Sequence, residues 1–210
     1  MSLGRTRVIS GFQELFRLKS DHVQVREFVR AQAIGVPTLP PGFPFSYPYD
    51  SLIFHPRVDE SLITRYHEIP QEIRPLHARA LFRDLLPAEE EFCSIFTDGS
   101  VNGNNTGLGI YGPNGLRNRY HLSLPASVFT AEIRAILEGV RLLNEGDNTI
   151  TLARIFTDSW SSLQALKNPR VSVHTHPAII ECRHMIHELL DKNIEVVLSW
   201  VPSHTGITGN

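Results

Sequence analysis

Apolar positions near the start of the chain recur at helical spacing. Phe12, Leu15, Phe16, Val23 and Phe28 stand among charged neighbours, which predicts a helix over residues 9–30. The segment from Val36 to Tyr49 holds five prolines among aromatic residues. Proline at this density forbids regular helix and sheet, so the segment is expected to be a linker or an irregular arm. Residues 57–86 alternate short helical and loop signals up to Pro87, and the run Glu89–Glu91 follows as a solvated lead into the next element. The pattern places a domain boundary near Pro87, with residues 1–87 as a helical and proline-rich extension and residues 88–210 as the main domain.

Beyond that boundary the pattern becomes regular. Phe92–Thr97 is an apolar strand ending in a turn signal, Asp98-Gly99-Ser100. Gly107–Tyr111 and Arg117–Leu124 follow as strands, joined at Gly112–Gly115. A helix is expected over Val128–Asn144, then a strand over Thr151–Thr157 and a helix over Ser159–Lys167. Pro177 opens another helix to about Asp191, and Ile194–Val201 is the last strand. Three hairpin-linked strands followed by β-α-β alternation define an α/β fold with a mixed five-stranded sheet flanked by helices.

Composition changes this picture little. Hydrophobic residues make up 41% of the 210-residue chain and charged residues 20%, enough for a packed core and unlike a disordered polymer. No apolar run is long enough for a membrane span, and no signal-peptide core opens the chain, so an intracellular protein is expected. Net charge is −2, with 11 Lys/Arg against 12 Asp/Glu in residues 1–91 and 9 against 10 in the rest. No basic tail or stripe announces nucleic-acid binding. A nucleic-acid enzyme with this balance must bind weakly, offset the phosphates with metal ions, or borrow affinity from a neighbour. Cys93 and Cys182 are expected to be reduced and structural.

Three features carry candidate chemistry. The tetrapeptide Ile-Phe-Thr-Asp occurs twice, at 95–98 and 155–158, each time at a strand end. If the two strands are parallel neighbours, Asp98 and Asp158 meet at the carboxyl edge of the sheet, where open α/β folds place their ligand sites. Such a pair repels itself unless a cation lies between. The alternatives are an Asp-Gly turn for Asp98 and a helix N-cap for Asp158. Glu132 is the second feature. It heads the stripe Ala135, Ile136, Gly139, Val140 and Leu143, so its carboxylate starts on the core-facing side of a helix. The alternative is snorkelling at a helix start, where the dipole favours an acid. The third is the glycine-rich run after Trp200, which carries His204, suited either to proton transfer or to an inert surface loop. Cys182, His184 and His187 lie close in sequence, but their spacing does not put all three on one helix face, so zinc is set aside. Trp160 is either a base-stacking contact or a core residue.

The order and spacing of these motifs resemble the ribonuclease H family. Asp98-Gly99-Ser100 follows a strand, Ala131-Glu132-Ile133 lies in a helix, Thr157-Asp158-Ser159 follows a second strand, and Trp200-Val-Pro-Ser-His204-Thr-Gly206 with Gly209-Asn210 completes the pattern. The variants Ser127-Val-Phe-Thr-Ala-Glu132 and Trp-Val-Pro-Ser-His look like domains of non-LTR retrotransposon polyproteins. The resemblance covers about 120 residues, and residues 1–87 would correspond to a segment linking it to a reverse transcriptase. It implies a ribonuclease H-like fold and cleavage of the RNA strand of RNA–DNA hybrids. It further implies two Mg²⁺ ions, replaceable by Mn²⁺, on Asp98, Glu132 and Asp158, with proton transfer or product release assisted by His204. Gly99, Ser100, Asn102, Asn104 and Asn210 would contact the hybrid, whose 2′-hydroxyls mark the RNA strand. A reverse transcriptase is the implied partner of an otherwise monomeric protein.

The family pattern places a fourth carboxylate about four positions past the Asn of Gly209-Asn210, where this sequence ends. The expectation is therefore a domain without its C-terminal end, as in a retroelement remnant. Two other classes stay open: a catalytically inactive module that binds nucleic acid or protein, and another nuclease of the same superfamily using the same three carboxylates.

Overall fold

The computed structural model describes residues 54–85, 92–122, 125–146, 149–172, 174–203, 205 and 207. The helix expected over 9–30 and the proline-rich arm lie outside them. The chain divides between Ser46 and Tyr47, and every described residue belongs to the unit Tyr47–Asn210.

Six strands form one sheet: β1 (Arg57–Asp59), β2 (Cys93–Asn102), β3 (Asn105–Tyr111), β4 (Arg117–Leu122), β5 (Leu152–Thr157) and β6 (Glu195–Trp200). Their order is β1-β6-β5-β2-β3-β4. β2, β3 and β4 pair antiparallel, while β2–β5, β5–β6 and β6–β1 are parallel. The helices are α1 (Ser61–Glu68), α2 (Arg74–Leu85), α3 (Val128–Glu145), α4 (Trp160–Lys167) and α5 (Pro177–Asp191). The mixed sheet expected from sequence is present, with a sixth strand added.

That strand comes from upstream of Pro87. β1 pairs with β6 from Arg57↔Val197 to Asp59↔Ser199. Arg154 on β5 reaches across β6 to donate to Asp59 Oδ2 at 2.7 Å and to Ser199 Oγ at 3.2 Å, and Arg57 pairs with Glu195 at 2.5 Å. Burial works against a charge on Asp59, but hydrogen bonds from Arg154 and Ser61 outweigh it and hold the carboxyl below its ordinary value. The boundary expected near Pro87 thus falls inside this unit instead of at its edge.

The strand side chains alternate between two cores. Ile95, Ile155, Val196 and Leu198 face α3 and α5, whose apolar stripes include Ile136, Val140, Ile179 and Ile186. Phe92, Phe96 and Phe156 face the other way, onto Leu62 of α1 and Leu81, Phe82 and Leu85 of α2. The α3 helix starts at Ser127, whose hydroxyl accepts from Thr130 N at 3.1 Å. It lies close to the sheet because Gly139 faces Thr97: a Cβ there would meet Thr97 Cγ2 at 3.0 Å.

The expected turn at Asp98-Gly99-Ser100 is absent. β2 runs straight through it, pairing Asp98 with Gly109 and Ser100 with Gly107. The chain turns later, between Asn102 and Asn105, where Gly103 takes a left-handed φ of 59°. Pairing with β3 supplies hydrogen bonds that override the local turn preference of Asp-Gly.

Candidate active site

The two copies of Ile-Phe-Thr-Asp lie side by side, with Ile95↔Ile155, Phe96↔Phe156 and Thr97↔Thr157 in parallel register. The phenylalanine rings stack at 4.7 Å, and Thr97 Oγ1 donates to Phe156 O at 3.2 Å. β5 stops after Thr157, whereas β2 continues for five more residues along β3. The sheet therefore has a step at the carboxyl end of β5, and Asp98 and Asp158 both follow the last shared pair.

Glu132 reaches this step from α3. Gly99 permits the approach: a Cβ on it would lie 2.4 Å from Ala131 C and from Glu132 N, inside the backbone of the helix. The Gly99 N–H donates to the Glu132 carboxylate. Asp98, Glu132 and Asp158 each bring one carboxylate oxygen within 4.8 Å of the other two, the one such group of potential metal ligands among the described residues. Asp98 is exposed, Asp158 half-buried and Glu132 only 6% exposed.

Asp158 does not cap α4; that place belongs to Ser159. The turn around Asp158 is held from both sides. Ser159 N donates to Thr157 Oγ1 at 3.1 Å, and Trp200 Nε1 donates to Asp158 O at 3.0 Å. Farther along, the buried Arg183 of α5 donates to Leu166 O, Ala165 O and Asn168 O and so pins the far end of α4. No local sequence signal marks Trp200 as a support for Asp158, because the two are 42 residues apart. Tyr66 and His67 of α1 pack on its ring at 5.3 and 6.4 Å.

Burial is the main reason that the Glu132 carboxyl is pushed up to about 8. Asp158 and then Asp98 add to it by repulsion, and the Gly99 N–H opposes the rise. Glu132 Oε2 is buried with no hydrogen-bond partner among the described residues. A buried oxygen without a donor, beside two further carboxylates, fits a hard divalent cation such as Mg²⁺, which prefers oxygen ligands. Asp98, Glu132 and Asp158 are the side chains that would hold it.

The other expected site residues are distributed as follows. Gly99 supports Glu132 as described. Ser100 and Asn102 are exposed along the rest of β2, and Asn104 is exposed in the hairpin turn. His204 and Asn210 lie outside the described residues. Trp160 is partly buried against the α3-side core, in keeping with the core alternative. Cys182 is buried, its thiol raised by that burial, while His184 and His187 pair with Glu188 and Asp191 along α5. Those three do not converge.

The fold and site together define an α/β protein with an acidic centre suited to divalent cations at the carboxyl edge of its parallel strands. The ribonuclease H family model matches residues 90–210, more than half of the chain, and the chain belongs to that family. Its members are ribonucleases that act on RNA–DNA hybrids and typically use divalent metals. Among curated proteins, none matches the chain.

Proposed function

We propose that this protein is an endoribonuclease that cleaves the RNA strand of RNA–DNA hybrids, with two Mg²⁺ ions, or Mn²⁺ in their place, on Asp98, Glu132 and Asp158. The observation that carries the reading is Glu132: a buried carboxylate with an unpartnered oxygen, held by Gly99 beside two more acids, is unfavourable without a cation. When bound, such ions activate the attacking water and stabilise the leaving 3′ oxygen. The chain's own residues do the rest. Gly99 holds Glu132 in place through its N–H, and Trp200 and Thr157 fix the backbone of the Asp158 turn. Glu132 must give up its proton to act as a ligand. Ser100, Asn102 and Asn104 extend from Asp98 along the hybrid's minor groove, where 2′-hydroxyls identify the RNA strand. His204 assists proton transfer or product release, and Asn210 contacts the substrate.

A retroelement origin belongs to this proposal, as do an intracellular setting, a reverse transcriptase partner and a monomeric state. It rests on the variants Ser127–Glu132 and Trp200–His204. The test is cleavage of a strand-labelled RNA–DNA hybrid with Mg²⁺ or Mn²⁺, with Asp98→Asn as control. RNA-strand cleavage that disappears in the variant is expected. A folded protein that leaves the hybrid intact would instead be an inactive binding module.

A further inference from the structure

The face of the sheet that carries Asp98 continues onto β4. Thr97 faces α3, as its contact with the Gly139 position shows, so Asp98 and Ser100 point to the opposite face. Directly paired residues share a face, and the register extends across three strands. Asp98 pairs with Gly109, which pairs with Arg119; Ser100 pairs with Gly107, which pairs with His121. The preceding row confirms the geometry, since Tyr111 packs on Phe96 at 6.3 Å and the Arg117 guanidinium lies 5.5 Å from the Tyr111 ring.

These rows form a trough. One wall is Asp98 and Ser100, the other is Arg119 and His121, and the floor is two glycines. Arg119 and His121 are exposed, and among the described residues neither has an ion-pair partner. No Asp or Glu occurs between Gly99 and Ala131, so the wall is cationic in a chain whose net charge is −2. The floor carries a separate signal. A Cβ on Gly109 would meet nothing nearer than Asp98 O at 4.0 Å, so among the described residues packing gives no reason for glycine there. Glycine weakens a strand, and one that packing does not require marks the close approach of another molecule.

We propose that Arg119 and His121 bind the phosphodiester backbone of the nucleic acid across a glycine-floored trough from Asp98. This deepens the hybrid-nuclease reading and rests on it. Arg119 stands two strand spacings from Asp98, about 10 Å, and its side chain can reach back over Gly109. A backbone whose scissile phosphate lies at the carboxylates thereby presents a flanking phosphate to the guanidinium, which positions the strand without reading its sequence.

The test measures hybrid binding across a salt series, together with cleavage, for the full chain and for Arg119→Ala, Arg119→Lys and Gly109→Val. Arg119→Ala should raise Kd about tenfold and lower the slope of log Kd against log salt by about 1, while Arg119→Lys restores most of both. Stabilisation by Mg²⁺ should be unchanged, because the three carboxylates are intact. Gly109→Val should keep or raise the thermal midpoint and still weaken binding about tenfold, a combination that a purely structural glycine would not give. Cleavage by the wild type with Arg119→Ala binding as tightly as wild type overturns the trough and leaves the nuclease reading standing. Arg119-dependent binding without metal-dependent cleavage sinks the nuclease reading and keeps the trough. A folded wild type that neither binds nor cleaves a hybrid overturns both.

Discussion

Ile95–Asp98 and Ile155–Asp158 have the same sequence and are paired residue for residue, yet they end differently. In the first copy the strand carries on, and Asp98 is an exposed mid-strand residue opposite Gly109. In the second the strand stops, and Asp158 sits half-buried in a turn whose carbonyl is held by Trp200. The threonines diverge in the same way. Thr97 donates sideways to Phe156 O, whereas Thr157 accepts from Ser159 N and braces the turn. Identical side chains therefore become one rigid strand acid and one turn acid. Their environment is decided by which neighbour continues to supply backbone partners.

Four changes would break or sharpen this contrast. Asp98→Asn and Asp158→Asn should each reduce metal-dependent cleavage by about a hundredfold or more, measured on a labelled hybrid. They should differ in a second readout. Both bring the Glu132 titration down from about 8 in the metal-free protein, and Asp158→Asn moves it further, as the stronger of the two repulsions; carboxyl NMR resonances would check this.

Next in size, Gly99→Ala forces a Cβ into the backbone of α3 and should destabilise the fold by about 3 kcal/mol, read from a denaturant midpoint. The second copy has no such constraint, since the residue after Asp158 is already Ser159.

The third concerns pH. The Glu132 carboxyl is raised from its ordinary 4.5 to about 8 in the fold. The folded state then holds an extra proton between those values, so its contribution to stability is complete below pH 4.5 and is lost as pH rises toward 8. Metal-free protein should lose on the order of a few kcal/mol across that window. Saturating Mg²⁺ should oppose the loss, since ligands bind deprotonated. A thermal midpoint independent of both pH and Mg²⁺ would count against the buried acid as a cation ligand.

The smallest effect compares Thr97→Val with Thr157→Val. Each should cost about 1 kcal/mol for one hydrogen bond, but only Thr157→Val should also lower cleavage, because it loosens the Asp158 turn.

The sequence carried the regular part of the fold well. The α3 helix was legible because its apolar stripe runs from Ala131 to Leu143 at helical spacing, and the parallel strands because their Ile/Val/Phe runs are bounded by turn residues. The carboxylate cluster was legible from the repeat and from Glu132 at the head of a buried stripe. Asp98-Gly99-Ser100 misled as a turn because local preference there is overridden by pairing with β3. β1 left almost no signal: three residues, with Val58 alone between two charged ones, are too short to show a period. Its place depends on Asp59 meeting Arg154, 95 positions away, which no window of sequence contains. The Trp200 support of Asp158 was hidden for the same reason, the partners being 42 residues apart.

The position of β1 also has a consequence for the order in which the chain is made. Arg57 leaves the ribosome 138 residues ahead of Glu195, its partner on β6. At common synthesis rates that gap lasts roughly seven to thirty seconds. During it, Leu62 and Phe82 have no completed sheet to cover. The nascent protein must therefore carry this apolar surface until its last described strand appears, a period when a holdase chaperone has most to protect.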